Sequence, residues 1–334
     1  QDKKVKIILG NIHPSLFAAE LLEEGAADII VRSEGEYTLL ETALAIAEDK
    51  DLHSVRGISF RNNGKVIHNP DRPLIEDLDQ LPYPAWHLFD LRRYSSAPLI
   101  SVYDIALPVL ASRGCPYQCV FCPQDKIYKR PRYRKIEQII EEIEYMNDRY
   151  KVNYFGFVDP FFPFSIKFGL EFCDRFIDRG LHKKVKWITE TRVDLVNLEL
   201  LKRMKEAGAY LIMYGFEVGN QGILDKLKKG TNIEQSRLAM KYSKKAGLAT
   251  LGLFMLGMPG ESKETCEETI RFAKELDCDI VKFNITVPYP GSELFEKNKL
   301  NLKEEQKDWD NFVAWSDWAG ASEPIYVPED MNAQ

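Results

Sequence analysis

Long apolar runs and excess positive charge are both missing from this sequence. No apolar stretch approaches the roughly 20 residues that a membrane-spanning helix needs, so no transmembrane segment is expected. Lysine and arginine total 45 against 51 aspartates and glutamates, which gives a net charge of −6. A mildly acidic chain is poorly suited to general binding of a phosphate backbone, and no nucleic-acid partner is expected. The sequence also has no internal repeat and no low-complexity tract, which excludes solenoids and propellers.

Cysteine is sparse, and its placement is uneven. Of six cysteines, three fall within eight residues, while Cys173, Cys266 and Cys278 are scattered. Disulfide frameworks are typical of small secreted domains, so this spacing in a long chain favours a reducing compartment. We therefore expect a cytoplasmic protein whose clustered cysteines bind a metal or perform chemistry.

Residues 1–70 are predicted to form a small α/β unit, followed by a proline-rich linker over residues 71–104. In the second of its two helices, Leu39, Leu40 and Leu44 share one face. The predicted elements are, in chain order, a strand at Val5–Leu9, a helix at Leu16–Glu24, a strand at Asp28–Val31, a helix at Glu36–Ala47, and a hairpin of Ile58–Phe60 and Val66–Ile67 joined across Asn62-Asn63-Gly64.

Residues 105–295 show a regular alternation of strands and helices. Such an alternation predicts a parallel sheet, doubly wound or curved into a partial barrel, with the loops after each strand on one common face. Strands are predicted at Leu107–Ala111, Tyr154–Val158, Val185–Thr189, Tyr210–Gly215, Thr250–Met255 and Ile280–Thr286. Helices are predicted at Ile136–Tyr150, Lys167–Arg179, Leu198–Ala207, Ile223–Lys228, Glu234–Ala246 and Lys263–Leu276.

Residues 296–334 are predicted to be an extension of this barrel. Its tryptophans, Trp309, Trp315 and Trp318, are expected to pack against the barrel, with one wall of a hydrophobic substrate pocket as the alternative. The last residues resemble the start of another helix, so we expect the chain to be part of a longer protein.

Cys115, Cys119 and Cys122 follow the first barrel strand at the spacing C-x3-C-x2-C. Three thiolates on one short loop can hold three corners of an iron–sulfur cubane and leave the fourth iron open to a small molecule. Tyr117 and Phe121 can shield such a cluster from water. A structural zinc site is the alternative, but zinc prefers four closed ligands and no histidine lies at zinc-finger spacing from these cysteines.

The segment after the cysteines is basic. Its side chains are expected either to be solvated or to dock an acidic electron donor such as flavodoxin or ferredoxin. The residues are Lys126, Lys129, Arg130, Arg132, Arg134 and Lys135.

This cysteine loop, placed after the first strand of a six-strand barrel, resembles that of the radical S-adenosylmethionine (SAM) superfamily. The sequence motifs resemble still more closely those of the superfamily's class with a cobalamin-binding domain. This class includes the anaerobic magnesium-protoporphyrin ester cyclase and many methylases. The resemblance implies a TIM-like partial barrel preceded by part of a Rossmann-like domain. The matching stretches are Gly10–Ser15, Asp28–Glu36, Lys205–Gly208, Gly215–Gly219, Leu256–Glu261 and Pro288–Ser292.

The resemblance also implies a 4Fe-4S cluster and SAM as cofactors, and a 5′-deoxyadenosyl radical that abstracts hydrogen from an unactivated carbon. Asp159 stands where many members have a Gly-Gly-Glu turn toward the SAM amine, with turn formation as its alternative role. Arg192 is expected to meet the SAM carboxylate or to form a salt bridge, and Glu217 to face the ribose or amine. Gly257 and Gly260 are expected to let the backbone approach the adenine.

The resemblance leaves several functions open. The first is cobalamin-free radical chemistry on a small or lipid-like metabolite, and the second is methylation that uses methylcobalamin. Binding of the cobalamin tail is open because the turn after the first strand reads Gly10-Asn11 and His13 lacks the spacing of the cobalt ligand. A methylthiotransferase acting on tRNA is a third reading, although the sequence before the barrel lacks cysteine. A non-catalytic iron–sulfur or zinc scaffold is the fourth.

Overall fold

The computed structural model describes residues 5–93, 105–124, 128, 130–298, 312, 324–329 and 331. Trp309, Trp315 and Trp318 lie outside the described residues, as do Lys126 and Lys129 of the basic segment. Among the described residues, no helix combines the length and apolar character needed to cross a membrane.

The N-terminal unit is a four-stranded sheet in the order β1-β2-β3-β4, with three helices. The first two strands are parallel, and the others continue the sheet in antiparallel fashion. The hairpin of the last two strands is confirmed, with Asn63 and Gly64 at positive φ in its turn. The elements are β1 (Ile8–Leu9), α1 (Ile12–Leu16), α2 (Ala18–Glu23), β2 (Ile29–Val31), α3 (Glu36–Ala47), β3 (Ile58–Asn62) and β4 (Lys65–His68).

Two details of this unit differ from the sequence-based expectation. The helix predicted at Leu16–Glu24 is two short helices, because the backbone leaves helical geometry at Phe17. In α3 the leucine face is exposed: Leu40 and Leu44 are 56% and 50% exposed. The side that packs inward carries Thr38 and Thr42 instead, because Thr38 accepts a hydrogen bond from Arg72 and Thr42 bonds back to the Thr38 carbonyl.

The larger unit contains the predicted six-stranded sheet. Every neighbouring pair is parallel, and the strands follow one another in chain order, as successive strand–helix units require. The strands are β5 (Ala106–Val109), β8 (Tyr154–Phe157), β9 (Lys186–Thr191), β10 (Ala209–Glu217), β11 (Ala249–Leu256) and β12 (Ile280–Ile285). The short strands β6 (Ser112–Arg113) and β7 (Arg132–Tyr133) lie between β5 and the first helix.

The helices of this unit cover the outer face of the sheet. In the first of them the buried residues recur at helical spacing, namely Ile136, Ile139, Ile140, Ile143 and Met146, so one apolar stripe faces the strands. The helices are α4 (Ile136–Tyr150), α5 (Ile166–Asp178), α6 (Leu198–Glu206), α7 (Gln221–Lys226), α8 (Ile233–Ala246), α9 (Lys263–Leu276) and α10 (Glu293–Asn298).

One aromatic core lies between the sheet and these helices. Trp187 is fully buried and its ring meets Phe157, Phe162 and Phe172 edge to face. This packing fixes the positions of the strands. The carboxyl ends of β5 and β8–β11 therefore meet at one edge of the sheet, which we call the strand-end rim.

Candidate active site

The cysteine loop, residues 114–131, leaves the strand-end rim between β6 and β7. These two strands pair antiparallel and form the stem of the loop. At Gly114 the backbone has φ +85°, and a Cβ there would lie 2.4 Å from the Arg130 carbonyl oxygen, so only glycine fits. The middle of the loop is held by Val120, whose N–H donates to the Leu227 carbonyl and whose carbonyl accepts from Leu294 N–H.

Cys115, Cys119 and Cys122 form no disulfide and are all partly exposed. The Cys122 N–H donates to the Cys119 carbonyl at 3.0 Å, so the second half of the loop is a tight turn. Burial raises the pKa of Cys119, while the charges of Lys229 and Arg192 act to lower it and that of Glu217 acts to raise it. The loop therefore presents its thiols beside the charged residues of the rim.

Asp159 follows β8 and is buried beneath the start of the loop. Its carboxylate accepts hydrogen bonds from Ala111 N–H, at 3.1 Å, and from the Ser112 hydroxyl, at 2.6 Å. Burial raises the pKa of Asp159 to about 6, against the effect of these bonds. In this structure the side chain joins β8 to the stem, and its predicted contact with SAM stays a prediction.

Arg192 follows β9 and lies over the Tyr117 ring, with its guanidinium carbon 3.4 Å from the ring centroid. Its Nε and Nη2 atoms each donate to Asp194 at 2.9 Å, and Nη2 also donates to the Lys229 carbonyl. The Tyr117 ring also contacts the Phe161 ring edge to face. The salt bridge that was the alternative for Arg192 is therefore formed, and its role toward SAM stays a prediction.

Glu217 ends β10 at φ +65°, an uncommon conformation for a residue with a side chain. Its carboxylate is ion-paired with Lys229, whose ammonium also donates to the Gly215 carbonyl. Both side chains are buried, with 10% and 7% exposure. Glu190 of β9 lies near this pair, and burial together with Glu217 raises the pKa of Glu190 to about 7.

Gly257 and Gly260 lie in the turn after β11, and both have positive φ. The Gly257 and Met258 N–H groups each donate to Glu261 at 2.8 Å, and Glu261 is fully buried. A Cβ on Gly260 would meet the Lys226 ammonium at 2.5 Å, whereas a Cβ on Gly257 would meet nothing closer than 3.9 Å. A Cβ on Gly257 would make only ordinary van der Waals contacts, and the Lys226 ammonium beside Gly260 is the end of a flexible side chain. Positive φ is therefore the main constraint at both glycines. Phe121 packs with Met258 in a small apolar cluster below this turn.

The radical SAM superfamily model matches residues 109–273, from the first strand of the six-stranded sheet to its last large helix. The chain belongs to the radical SAM superfamily. This confirms the resemblance that the cysteine loop indicated.

Relatives place the chain within the superfamily. It is 35% identical to an uncharacterized methyltransferase of Pyrococcus horikoshii over 88% of this chain and 63% of the relative. It is 33% identical to the anaerobic magnesium-protoporphyrin IX monomethyl ester cyclase of Rubrivivax gelatinosus over 97% of this chain and 57% of that protein. The chain thus spans less than two thirds of the length of either relative.

The fold is also similar to that of a solved structure. The radical SAM methyltransferase TsrM of Kitasatospora setae, with cobalamin and a 4Fe-4S cluster bound, superposes with a TM-score of 0.73. The match covers 89% of this chain and 58% of TsrM at 18% identity, so it bears on the fold alone.

A 4Fe-4S cluster and SAM are the cofactors of this superfamily, and the thiols of this radical SAM chain fit the cluster. Among the described positions, no three His, Cys, Asp or Glu side chains are grouped to hold a single metal ion. A cubane does not need such a grouping, because each of its irons takes a separate thiolate. Three cysteines on one short loop, none of them in a disulfide, match that donor set.

Three functional candidates were missed by sequence reasoning. Lys229 lies in a Lys-Lys-Gly turn that is typical of a solvated loop, so no sequence signal marked its burial against Glu217. Glu190 carried a signal that was not used, namely a glutamate between two threonines inside a strand. Glu261 closes a stretch that matched the family, and its sequence did not show that it organises the turn.

Proposed function

We propose that this chain is the core of an enzyme that cleaves SAM reductively and uses the resulting radical on an unactivated carbon. The observation that carries the proposal is the cysteine loop: three cysteines, none of them in a disulfide, on a loop with a two-strand stem beside the charged strand-end rim. Cys115, Cys119 and Cys122 would hold the 4Fe-4S cluster. When bound and reduced, that cluster supplies the electron that splits SAM into methionine and a 5′-deoxyadenosyl radical.

The residues around the loop have distinct parts in this proposal. Tyr117 covers the loop and is held in place by the Arg192 guanidinium above its ring. Asp159 fixes the stem to β8, so the first cysteine stays at the rim. The polar groups of SAM would lie against Arg192 and Glu217, and its adenine against the backbone of the turn that begins at Gly257.

A cavity beside the linker supports a small or lipid-like substrate. This cavity has a volume of about 190 Å³ and lies between the linker and the first strands of the sheet. Its walls are mainly apolar, with Tyr83, Trp86, Leu110 and Val158 among them, and Val158 is 59% exposed. Such walls suit an apolar carbon skeleton, because its transfer from water is favourable.

Cobalamin-dependent methylation is the second candidate function. A cavity of about 350 Å³ separates the N-terminal unit from the barrel, and its walls include Asn11, Ser33 and Gly114. The turns after β1 and β2 thus face the cysteine loop across an open space, where a second cofactor could reach both units. Titration with hydroxocobalamin, followed by its visible spectrum, tests this candidate: unchanged spectra would exclude it for this chain.

The proposal also includes a cytoplasmic location and an electron-donor protein. None of the six cysteines forms a disulfide, which suits the reducing cytoplasm. Arg132 of the basic segment is buried against Glu34, so the exposed residues, Arg130 and Lys135 among those described, would dock an acidic donor of the flavodoxin or ferredoxin type.

The test is anaerobic reconstitution with iron and sulfide, followed by dithionite and SAM. We expect about four irons per chain, absorbance at about 400 nm, and release of 5′-deoxyadenosine. Iron without SAM cleavage would support the scaffold alternative. Binding of zinc alone would contradict the proposal.

A further inference from the structure

The stem of the cysteine loop has two arginines directly opposite each other. Arg113 of β6 and Arg132 of β7 are register partners in this antiparallel pair. Like charges placed opposite each other across two strands repel. Arg132 is 5% exposed, so water screens this repulsion poorly.

Glu34, from the turn after β2 in the N-terminal unit, bridges the two arginines. Its Oε1 accepts from Arg113 Nη1 at 2.9 Å, and Arg132 Nη1 donates to both carboxylate oxygens at 2.9 and 2.8 Å. Burial alone would raise the pKa of Glu34, but the bonds from Arg132 and Arg113 outweigh burial and hold the pKa below its usual range. The bridge is therefore ionised.

Groups outside the stem also contact Glu34 and the residue before it. Ser33, the residue before it, has φ +62°, and its N–H donates to the Ser15 hydroxyl at 2.8 Å. The second oxygen of Glu34 also accepts from Ile75 N–H at 2.7 Å. These contacts restrict where the Glu34 carboxylate can lie, independently of the two stem arginines.

We propose that Glu34 is a positioning residue for the cysteine loop: it neutralises the opposed arginines of the stem and so holds the three thiols in cluster-binding geometry. This inference rests on the proposed cluster at those thiols. It gives the N-terminal unit a part in cluster retention, in addition to any ligand that unit binds.

The chain offers a matched control. Glu76, in the linker, pairs with Arg130 at the far end of the same loop, but both side chains are more than half exposed. Exposed pairs contribute little because solvent screens them. Glu34→Gln and Glu76→Gln therefore remove the same charge from two partners of one loop, one buried and one exposed.

The experiment measures iron release from the reconstituted protein to a ferrous chelator, anaerobically and without SAM. We expect release from Glu34→Gln to be about tenfold faster than from wild type, the lower end of what outer partners of metal ligands show. Glu76→Gln should stay within about twofold. Equal release rates from Glu34→Gln and wild type would overturn the inference, whereas a wild type without iron would overturn the proposed function instead.

A double variant separates positioning from a general loss of stability. In Glu34→Gln/Arg113→Gln one of the opposed arginines is gone, so iron release should slow again toward the wild-type rate. If release is faster still in the double variant, the repulsion account is wrong. If Glu34→Gln does not fold, Glu36→Gln decides, because Glu36 is partly exposed and pairs with Arg113 of the stem. Iron release faster than that of Glu76→Gln supports the inference, and release equal to that of Glu76→Gln overturns it.

Discussion

The six-stranded unit and the N-terminal unit differ in how they bury their side chains. The larger unit has one continuous core that includes Trp187, Tyr214 and Phe254, all fully buried. The N-terminal unit has two small clusters, around Ile58 and around Leu22, and leaves the leucine face of α3 exposed. The larger unit thus has a single core, whereas the smaller one divides fewer buried side chains between two clusters.

The two units also differ in how many ionisable side chains they place at the site. The strand-end rim holds several buried ionisable residues, among them Asp159, Glu190, Glu217 and Lys229. The N-terminal unit contributes Glu34, which is directed at the stem of the cysteine loop. In the proposed function, the larger unit would hold the reactive groups, and the smaller one would position the cysteine loop and form part of a cavity wall.

The largest effect is expected at the cysteine loop. Cys119→Ser should abolish stable binding of the cluster, because a hydroxyl is a poor substitute for a soft thiolate ligand. Cys278→Ser is the control, since Cys278 lies near Met240 at the far side of the larger unit. Iron and sulfide per chain are the measurement; iron retained by Cys119→Ser would show that the thiol is not a ligand.

The buried ion pair of the rim should contribute more than its exposed neighbour. Lys229→Met leaves Glu217 buried without its partner and should lower the free energy of unfolding by about 3–5 kcal/mol. Lys228→Met breaks an exposed pair with Glu293 and should cost less than about 1 kcal/mol. Denaturant unfolding of both variants checks this, and equal losses would contradict the difference in burial.

Two leucine substitutions compare the units directly. Leu200→Ala in α6 removes a fully buried side chain and should cost about 2–5 kcal/mol in unfolding free energy. Leu40→Ala in α3 removes a side chain that is 56% exposed and should change it by less than about 0.5 kcal/mol. A large loss for Leu40→Ala would mean that the α3 face is covered in solution.

Glu190 should produce a smaller, pH-dependent effect. Its pKa in the folded protein, about 7, lies above the ordinary 4.5, so the folded state binds the proton more tightly. Its stabilising contribution is complete below about pH 4.5 and is lost as the pH rises toward 7. Glu190→Gln should therefore flatten the fall in unfolding free energy across this range, by about 1.4 kcal/mol per unit of pKa difference. Parallel pH profiles of the two proteins would show that Glu190 titrates normally.

Much of the fold could be predicted from the sequence, because each barrel helix carries its own apolar period. Ile136–Tyr150 and Lys263–Leu276 were predicted to the residue for this reason. In α3 the apolar period indicated the wrong buried face. The side that packs inward carries Thr38, which accepts a hydrogen bond from Arg72. No local pattern records that preference.

The site was predictable to the extent that it is local in sequence. The three cysteines lie on one loop and share one spacing signal. The bridge from Glu34 to Arg113 and Arg132 spans 79 and 98 residues, and the buried partner of Glu217 is a lysine in an ordinary turn. Such pairings depend on tertiary placement, so only the structure shows them.

The most direct test of the account is pulsed electron paramagnetic resonance of the reduced, reconstituted protein with SAM labelled at its amino nitrogen. If Cys115, Cys119 and Cys122 hold three irons and leave the fourth open, the cluster spin should couple to the labelled nitrogen. When unlabelled SAM replaces the labelled compound, the coupling pattern of the label should give way to that of the natural nitrogen isotope. A cluster signal with no coupling to the label would contradict the central claim that SAM binds at an open iron above the strand-end rim.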